Sequence, residues 1–420
     1  MKSSQPLLQK VQTPSNLLKA WFLLNRSNHS SHGLSNETIE SFGKNFEVNR
    51  KEIRKELKKG QYKFSSLRAA VVTKTKLDGT VKRRGIRISE IKDRVVQRAI
   101  VNKIEPVLTK KFSLNNEASF AYLKKRNVKK ALLRMIQLYR QKKIVLLEAD
   151  LEKYFDTVNR EKLLNEMIFP ALPDKSLNDL IAQAVAQEIG NLHSLEKDDW
   201  ELFPDSGIPQ GGGLSPLFAN VYLSQFDQTM LSKGFGLVRY ADDFIVLCEN
   251  DTQANEAYAL AVEILEKKLD LKLHKLGVPS SKTRIIRPSQ ECFEFLGVRF
   301  DGKYVYPGAK AIKNLKERIK EVTLFHNDSK LLWVLTKLKY VLEGWISCYS
   351  YTKCETELPH IEAYIKERLG GCAGRMKWSS HRGQLTKEQY RFSGLFDLNE
   401  CLIKQRKNLK KEELEILGLN

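Results

Sequence analysis

Acidic residues are scarce relative to basic ones: 50 Asp and Glu stand against 71 Lys and Arg in 420 residues, a net charge of +21. Such a balance favours a polyanionic partner, either nucleic acid or an acidic membrane surface. Long apolar runs are missing. None reaches the ~18 residues of a membrane span, and Met1 to Lys10 lacks the apolar core of a signal peptide. Cysteine is sparse. The six residues, at 248, 292, 348, 354, 372 and 401, form no Cys-x-x-Cys pair. That argues against zinc and disulfide frameworks and for a reducing cytoplasm. No Gly-Lys-Ser/Thr follows the one glycine cluster, so there is no Walker loop. There is no convincing nucleophilic triad, internal repeat or low-complexity tract. The length suggests two or three domains, and a hydrophobic content of 42% is enough for a substantial core.

Residues 1 to about 60 carry apolar residues at helical spacing, interrupted by a polar loop over Asn25–Ser35. Residues 67–88 read as a hairpin turning at Leu77-Asp78-Gly79-Thr80. Its return strand carries Lys82, Arg83, Arg84 and Arg87, of which two must share a face. Residues 51–87 hold 13 basic and 3 acidic residues, about half of the net charge. A helix over Ser89–Leu108 follows. Residues 110–143 hold 11 Lys and Arg against Glu117 alone, with Phe112, Phe120 and Tyr122 interleaved. That mixture can neutralise phosphates and stack on bases.

Lys143–Leu151 reads as a buried strand ending in Asp150, which is costly unless the acid is paired or holds a metal. Asp156 is placed to cap the next helix. Residues 170–200 are helical and polar, without nameable chemistry. In Ser206–Asn220 three glycines, Gly211 to Gly213, precede Ser215-Pro216, the N-cap and N1 pair of a helix to about Leu231. Gly236-Leu237-Val238 and Phe244–Cys248 flank Arg239-Tyr240-Ala241-Asp242-Asp243, which reads as a hairpin with two acids at its turn. Adjacent carboxylates repel, and the repulsion disappears if the pair holds divalent cations such as Mg²⁺. Thr252–Leu269 is an amphipathic helix, and Phe293–Phe300 a hairpin partner of Tyr304–Tyr306. From about 309 the pattern turns helical, with Trp333, Trp345, Tyr349 and Tyr351 as helical core. Lys404–Lys411, five cations and no acid, reads as a solvated or RNA-touching tail.

Strand, helix, then hairpin is the order of a split βαβ-ββ sheet, in which Asp150 could face Asp242 and Asp243. Three acids so disposed could hold two ions ~3.5–4 Å apart, the geometry of in-line displacement at phosphorus. The cations at 82–84 would neutralise a triphosphate.

These stretches together resemble the reverse transcriptases. Tyr240-Ala241-Asp242-Asp243 is similar to their Y-x-D-D box, Asp150-Leu151-Glu152-Lys153-Tyr154-Phe155-Asp156 to their first acidic motif, and Gly207–Asn220 to their G-x-P-Q-G-x-x-x-S-P motif. The bacterial group II intron-like branch matches best: Gly85–Gln97 resembles its fingers motif, Ser281-Lys282-Thr283-Arg284 and Phe295-Leu296-Gly297 its later palm motifs, and Gly344-Trp345 with Tyr349 its thumb. The resemblance spans roughly residues 15–350. It implies an α+β right-hand polymerase: an N-terminal helical extension (1–66), fingers (67–142, with part of 157–205), a palm with a split βαβ-ββ antiparallel sheet (143–308), a helical thumb (309–369) and a basic C-terminal tail (370–420).

The resemblance also implies roles. Asp150, Asp242 and Asp243 would bind two Mg²⁺ ions, with Mn²⁺ as an alternative. Phe155 would exclude a 2′-hydroxyl, Gln210 would contact nucleotide and template, and Lys282 would sit near the pyrophosphate as a general acid. The family's Arg-Pro-Leu-Gly-Ile-Pro reads Lys82-Arg83-Arg84-Gly85-Ile86-Arg87 here, which leaves open which of Lys82, Arg83 and Arg84 grips the triphosphate. The chain lacks an H-N-H endonuclease region, has little room for an intron protein's DNA-binding segment, and lacks the retron signatures. It thus resembles the stand-alone, defence-associated reverse transcriptases, their type 2 in particular. The expectation is an enzyme that copies a structured non-coding RNA into cDNA from dNTPs, in the cytoplasm and off the membrane, in anti-phage defence. The alternatives are a group II intron maturase and a catalytically silent RNA-binding protein. Template identity, priming group and oligomeric state stay open.

Overall fold

A computed structural model of the chain describes residues 5–24, 27–75, 79–279, 281–324, 331–375 and 397–419. The fold is α+β, and the chain divides into two compact units.

The first unit comprises residues 1–127 and 147–285. Helices Pro14–Leu23 and Phe46–Lys58 meet through Trp21, Phe42 and Phe46, with Trp21 stacked on Phe46 at 5.1 Å. Helix Ile91–Lys111 is the unit's spine. Val95, Val96, Ile100 and Ile104 are wholly buried along it, as their spacing requires. Strands β1 (Arg68–Thr75) and β2 (Val81–Ile88) form an antiparallel hairpin with Val72 opposite Arg84. Leu77 and Asp78 of its turn lie outside the described residues.

A four-stranded sheet carries the acids. In chain order its strands are β3 (Val145–Ala149), β4 (Gly236–Tyr240), β5 (Asp243–Cys248) and β6 (Arg284–Ile286); in space the order is β4-β5-β3-β6. Both central strands are largely apolar, Leu146, Leu147 and Phe244 to Cys248 being buried, because helices cover the sheet; Glu148 and Asp243 are their polar exceptions.

Two local expectations fail. Asp156 caps nothing: it lies inside the turn Tyr154–Thr157, where its carboxylate faces Arg87 at 3.5 Å. Ser215 is the first helical residue rather than the cap, and its hydroxyl donates to the Pro209 carbonyl (2.7 Å), folding the glycine loop back. The helix also breaks at Leu223, giving Ser215–Tyr222 and Ser224–Ser232.

The second unit comprises residues 128–146 and 286–420. It holds a three-stranded antiparallel sheet, β7 (Phe293–Phe295), β8 (Val298–Phe300) and β9 (Val305–Pro307). A helical cluster packs around Leu338, Ile346, Ile361 and Leu369. Trp345 belongs to that core, but Trp333 is 47% exposed, with Lys337 over its ring. Arg406 is no solvated tail residue. Leu398 and Leu402 bury its helix in the same core, and its guanidinium donates to the carbonyls of Ser350 (3.1 Å) and Thr352 (2.8 Å) and to Glu355.

Candidate active site

The acid turn is built from the strand register. Tyr240 pairs with Asp243, so Ala241 and Asp242 alone make the connection between β4 and β5. Ala241 adopts φ +61°, a left-handed conformation unfavourable for a residue with a Cβ. Arg239 offsets it. Its guanidinium donates to the Ala241 carbonyl (2.8 Å), to both Asp227 oxygens (2.6 and 2.5 Å), to Ser119 Oγ (3.0 Å) and to Asn220 Oδ1 (3.2 Å). Arg239 and Asp227 are both at most 1% exposed. A charge pair so deep persists only when its donors are all matched, as they are here.

Asp150 follows the end of β3, which lies next to β5, so all three acids meet at one edge of the sheet. Their electrostatics record the crowding. Loss of water raises the Asp242 carboxyl, and the charge of Asp150 raises it further; Arg84 and Lys282 oppose the shift. Asp243, although exposed to the cleft, is pushed up to about 6 by loss of water, then by Asp242 and Asp150, against Lys282. Lys282 Nζ sits on the Asp150 carboxylate. Beside them His274 lies 4.0 Å from Asp150 and 3.7 Å from Glu152. The segment bearing His274 is held along the acid strand: His274 N–H donates to the Asp150 carbonyl, and Glu152 N–H to the Lys272 carbonyl.

Carboxyls raised by loss of water and by neighbouring carboxylates are under-neutralised hard oxygen donors, and divalent cations relieve that kind of strain. Among the described residues no three metal-ligating groups form a ready-made cage.

On the hairpin, alternation along β2 divides the cations between two faces. Arg83, Gly85 and Arg87 share one. Arg83 pairs with buried Asp199 at 2.6 Å, a Cβ on Gly85 would lie 2.4 Å from the Leu202 carbonyl, and Arg87 donates to the Pro204 carbonyl (2.6 Å) with Phe203 5.7 Å away. Lys82 and Arg84 share the other face, and the charge of Arg84 is felt at Asp242. Phe155 is half-buried and firmly placed. Ile208 N–H donates to its carbonyl (2.8 Å), and Gly207 at φ +70° approaches so closely that a Cβ would fall 2.0 Å from that oxygen. Gln210 is tied through its carbonyl to Arg87 N–H at 2.9 Å.

Sequence reasoning missed Arg239, Asp227, His274 and Asp199, and named Tyr122 only as one of three aromatics able to stack on bases. Arg239 stood one residue before the box, and a lone cation inside an apolar strand was the available signal. Asp199 lay in a stretch that looked inert.

Residues 72–300, more than half of the chain, match the reverse transcriptase (RNA-dependent DNA polymerase) family. The chain belongs to that family and has the α+β right-hand fold. Residues 312–390 match the group II intron maturase-specific domain, which places it on the bacterial group II intron-like branch. It is similar to protein YkfC of Escherichia coli (strain K12), 25% identical over 321 residues that cover 67% of this chain and 78% of YkfC. Among solved structures it is similar to a partial Cas6-RT-Cas1–Cas2 complex, at 24% identity and TM-score 0.37 over 63% of this chain and 44% of that one. It is also similar to Candida albicans telomerase in complex with a fragment of telomeric RNA, at 12% identity and TM-score 0.41 over 89% and 69%. The chain thus spans less than half of the Cas6-RT-Cas1–Cas2 chain. Among the described residues no helix is long and apolar enough to cross a membrane.

Proposed function

We propose that the chain copies a dedicated, structured non-coding RNA into cDNA in the cytoplasm, as a stand-alone enzyme of anti-phage defence. The observation that carries the chemistry is the convergence of Asp150, Asp242 and Asp243: loss of water and the Asp150 charge raise Asp242, and loss of water, Asp242 and Asp150 raise Asp243. These three acids would hold two Mg²⁺ ions, which when bound supply charge neutralisation at the attacking 3′-hydroxyl and at the departing pyrophosphate. The chain's residues do the rest. Arg84, from the cation-bearing face opposite Arg83, would grip the triphosphate, with Lys82 on the same face. Phe155, clamped by Gly207 and Ile208, would stand where a ribose 2′-hydroxyl must pass. Gln210 would border the nucleotide and template. Lys282, paired with Asp150, would sit near the pyrophosphate as a general acid. Residues 67–142 are assigned as fingers, 143–308 as palm and 309–369 as thumb.

The match of residues 312–390 to the maturase-specific domain supports a second reading, an enzyme acting with a group II intron RNA. Sequencing the nucleic acid that co-purifies with wild type and with Asp242→Ala separates the two. One neighbouring small RNA in both samples, with cDNA only in wild type, is expected. Intron RNA in both would replace the defence reading by the maturase one. RNA without DNA in either sample would overturn both in favour of a silent RNA-binding protein.

A further inference from the structure

Tyr122 lies beside the acids, and no role described so far uses it. Residues 118–122 run parallel to β4: Arg239 N–H donates to the Ala118 carbonyl (2.7 Å) and Phe120 N–H to the Arg239 carbonyl (2.9 Å). Ser119 is bridged to Arg239 in parallel register, three residues before Tyr122, and the charges of Asp242 and Asp243 are felt at the Tyr122 hydroxyl. The path is pinned from both sides. Asn220 Nδ2 donates to the Ala121 carbonyl (2.9 Å), and Arg126 donates to the Ser119 carbonyl (2.8 Å) with its guanidinium 5.0 Å from the Phe120 ring.

At the end of this pinned segment Tyr122 takes φ +60°, which is unfavourable for a bulky residue and persists only where surrounding structure enforces it. The ring gains no full burial in exchange, being 50% exposed. Loss of water, then the charges of Asp242, Tyr240 and Asp243, raise its hydroxyl, so the side chain stands near the acids. Exposed Lys124 and Lys125 come next in the chain. A neutral aromatic face, held in a strained backbone at the edge of an acid cluster and followed by cations, has the make-up of a stacking platform for a nucleobase.

We propose that Tyr122 is the binding residue on which the 3′-terminal nucleotide of the growing strand stacks, setting its hydroxyl over the acids. The proposal rests on the polymerase reading above. The ring is the working part. The pinned segment suits a fixed platform, whereas a tyrosine that itself primed synthesis would have to retreat from the acids with each nucleotide added.

The test uses the full chain and a DNA primer on an RNA template, with 2-aminopurine as the terminal base, whose fluorescence falls on stacking. Wild type is expected to quench it, Y122A and the apolar, non-aromatic Y122L to release the quench, and Y122F to restore it. In steady-state extension with Mg²⁺, Y122A is expected to raise KM for primer–template about tenfold, within the range measured for base–aromatic stacking, while KM for the dNTP moves less than about twofold. A quench that survives in both Y122A and Y122L overturns the proposal. So does Y122F failing as fully as Y122A with a nucleotide found covalently on wild-type Tyr122, which would make the hydroxyl a primer. Quenching by wild type without any extension would sink the polymerase reading and leave the platform standing; extension with a Tyr122-independent quench would do the reverse.

Discussion

The buried Arg239–Asp227 pair makes a prediction in which stability and catalysis come apart. Arg239→Met removes a guanidinium that is 1% exposed and leaves Asp227, 0% exposed, without its bidentate partner. Breaking a buried pair from one side costs about 3–5 kcal/mol, because the remaining charge is uncompensated. Asp227→Leu is expected to cost a similar amount from the other side. Replacing both with apolar residues of similar volume is often close to neutral, so the double variant R239M/D227L should recover most of the loss. The Ala241 carbonyl would still lack its 2.8 Å donor, a residual cost of about 1–3 kcal/mol. The left-handed turn carrying Asp242 would lose its anchor with it. Urea unfolding gives the stability cycle, and single-nucleotide extension gives kcat. The expected outcome is a strongly non-additive cycle with kcat still at least about tenfold low in the double variant, about 1.4 kcal/mol in barrier. If the double variant regains kcat together with stability, Arg239 only holds the core together and its positioning role is wrong.

The division of cations on β2 predicts that Arg84→Ala raises the dNTP KM about tenfold at little stability cost, in line with loss of one charge-assisted contact. Arg83→Ala should instead destabilise the chain by stranding Asp199, with nucleotide KM nearly unchanged; equal KM effects would refute the assignment. Phe155→Ala should lower discrimination against ribonucleotides by at least about tenfold in kcat/KM ratios, and unchanged discrimination would displace the gate. Asp93 supplies a pH test. Wholly buried, it accepts from Tyr62 Oη (2.6 Å) and Ser65 N–H (2.9 Å), yet burial pushes it up to about 6. Because the folded value lies above the unfolded one, its contribution is present at low pH and is lost as pH rises through 6. Between pH 7 and pH 5 wild type should therefore gain about 1 kcal/mol relative to Asp93→Asn, read from urea unfolding. A pH-independent difference would show that the carboxyl is ionised throughout.

Much of the acid-bearing edge was legible because chemistry and local pattern agreed there. Two acids between short apolar runs can hardly avoid the hairpin turn that β4 and β5 make, and an acid closing the run Ile144–Ala149 must emerge where β3 ends. What stayed hidden depends on partners distant in sequence. Asp156 looked like a cap because a carboxylate before a helix usually is one; Arg87, 69 positions earlier, claims it instead. The division of Arg83 from Arg84 required knowing that residues 197–202 pack on one face of β2, and nothing in that polar stretch announced it. Tyr122 was visible only as one aromatic among several. Its segment is brought to the acid hairpin by the parallel bridge of Ser119 to Arg239, across 120 positions. Segment 397–419 misled through composition: its cations are prominent, but Leu398 and Leu402 decide its packing.

The central claim is that Asp150, Asp242 and Asp243 form one metal-dependent centre for nucleotidyl transfer. Extension of a DNA primer on an RNA template by the purified full chain, with Mg²⁺ and dNTPs, tests it most directly, run beside Asp242→Asn and beside wild type in excess chelator. The account predicts DNA synthesis by wild type, restored after chelation by added Mg²⁺, and a loss of at least about a thousandfold in Asp242→Asn with RNA binding retained. Synthesis that persists in Asp242→Asn, or that is indifferent to chelation, would contradict it.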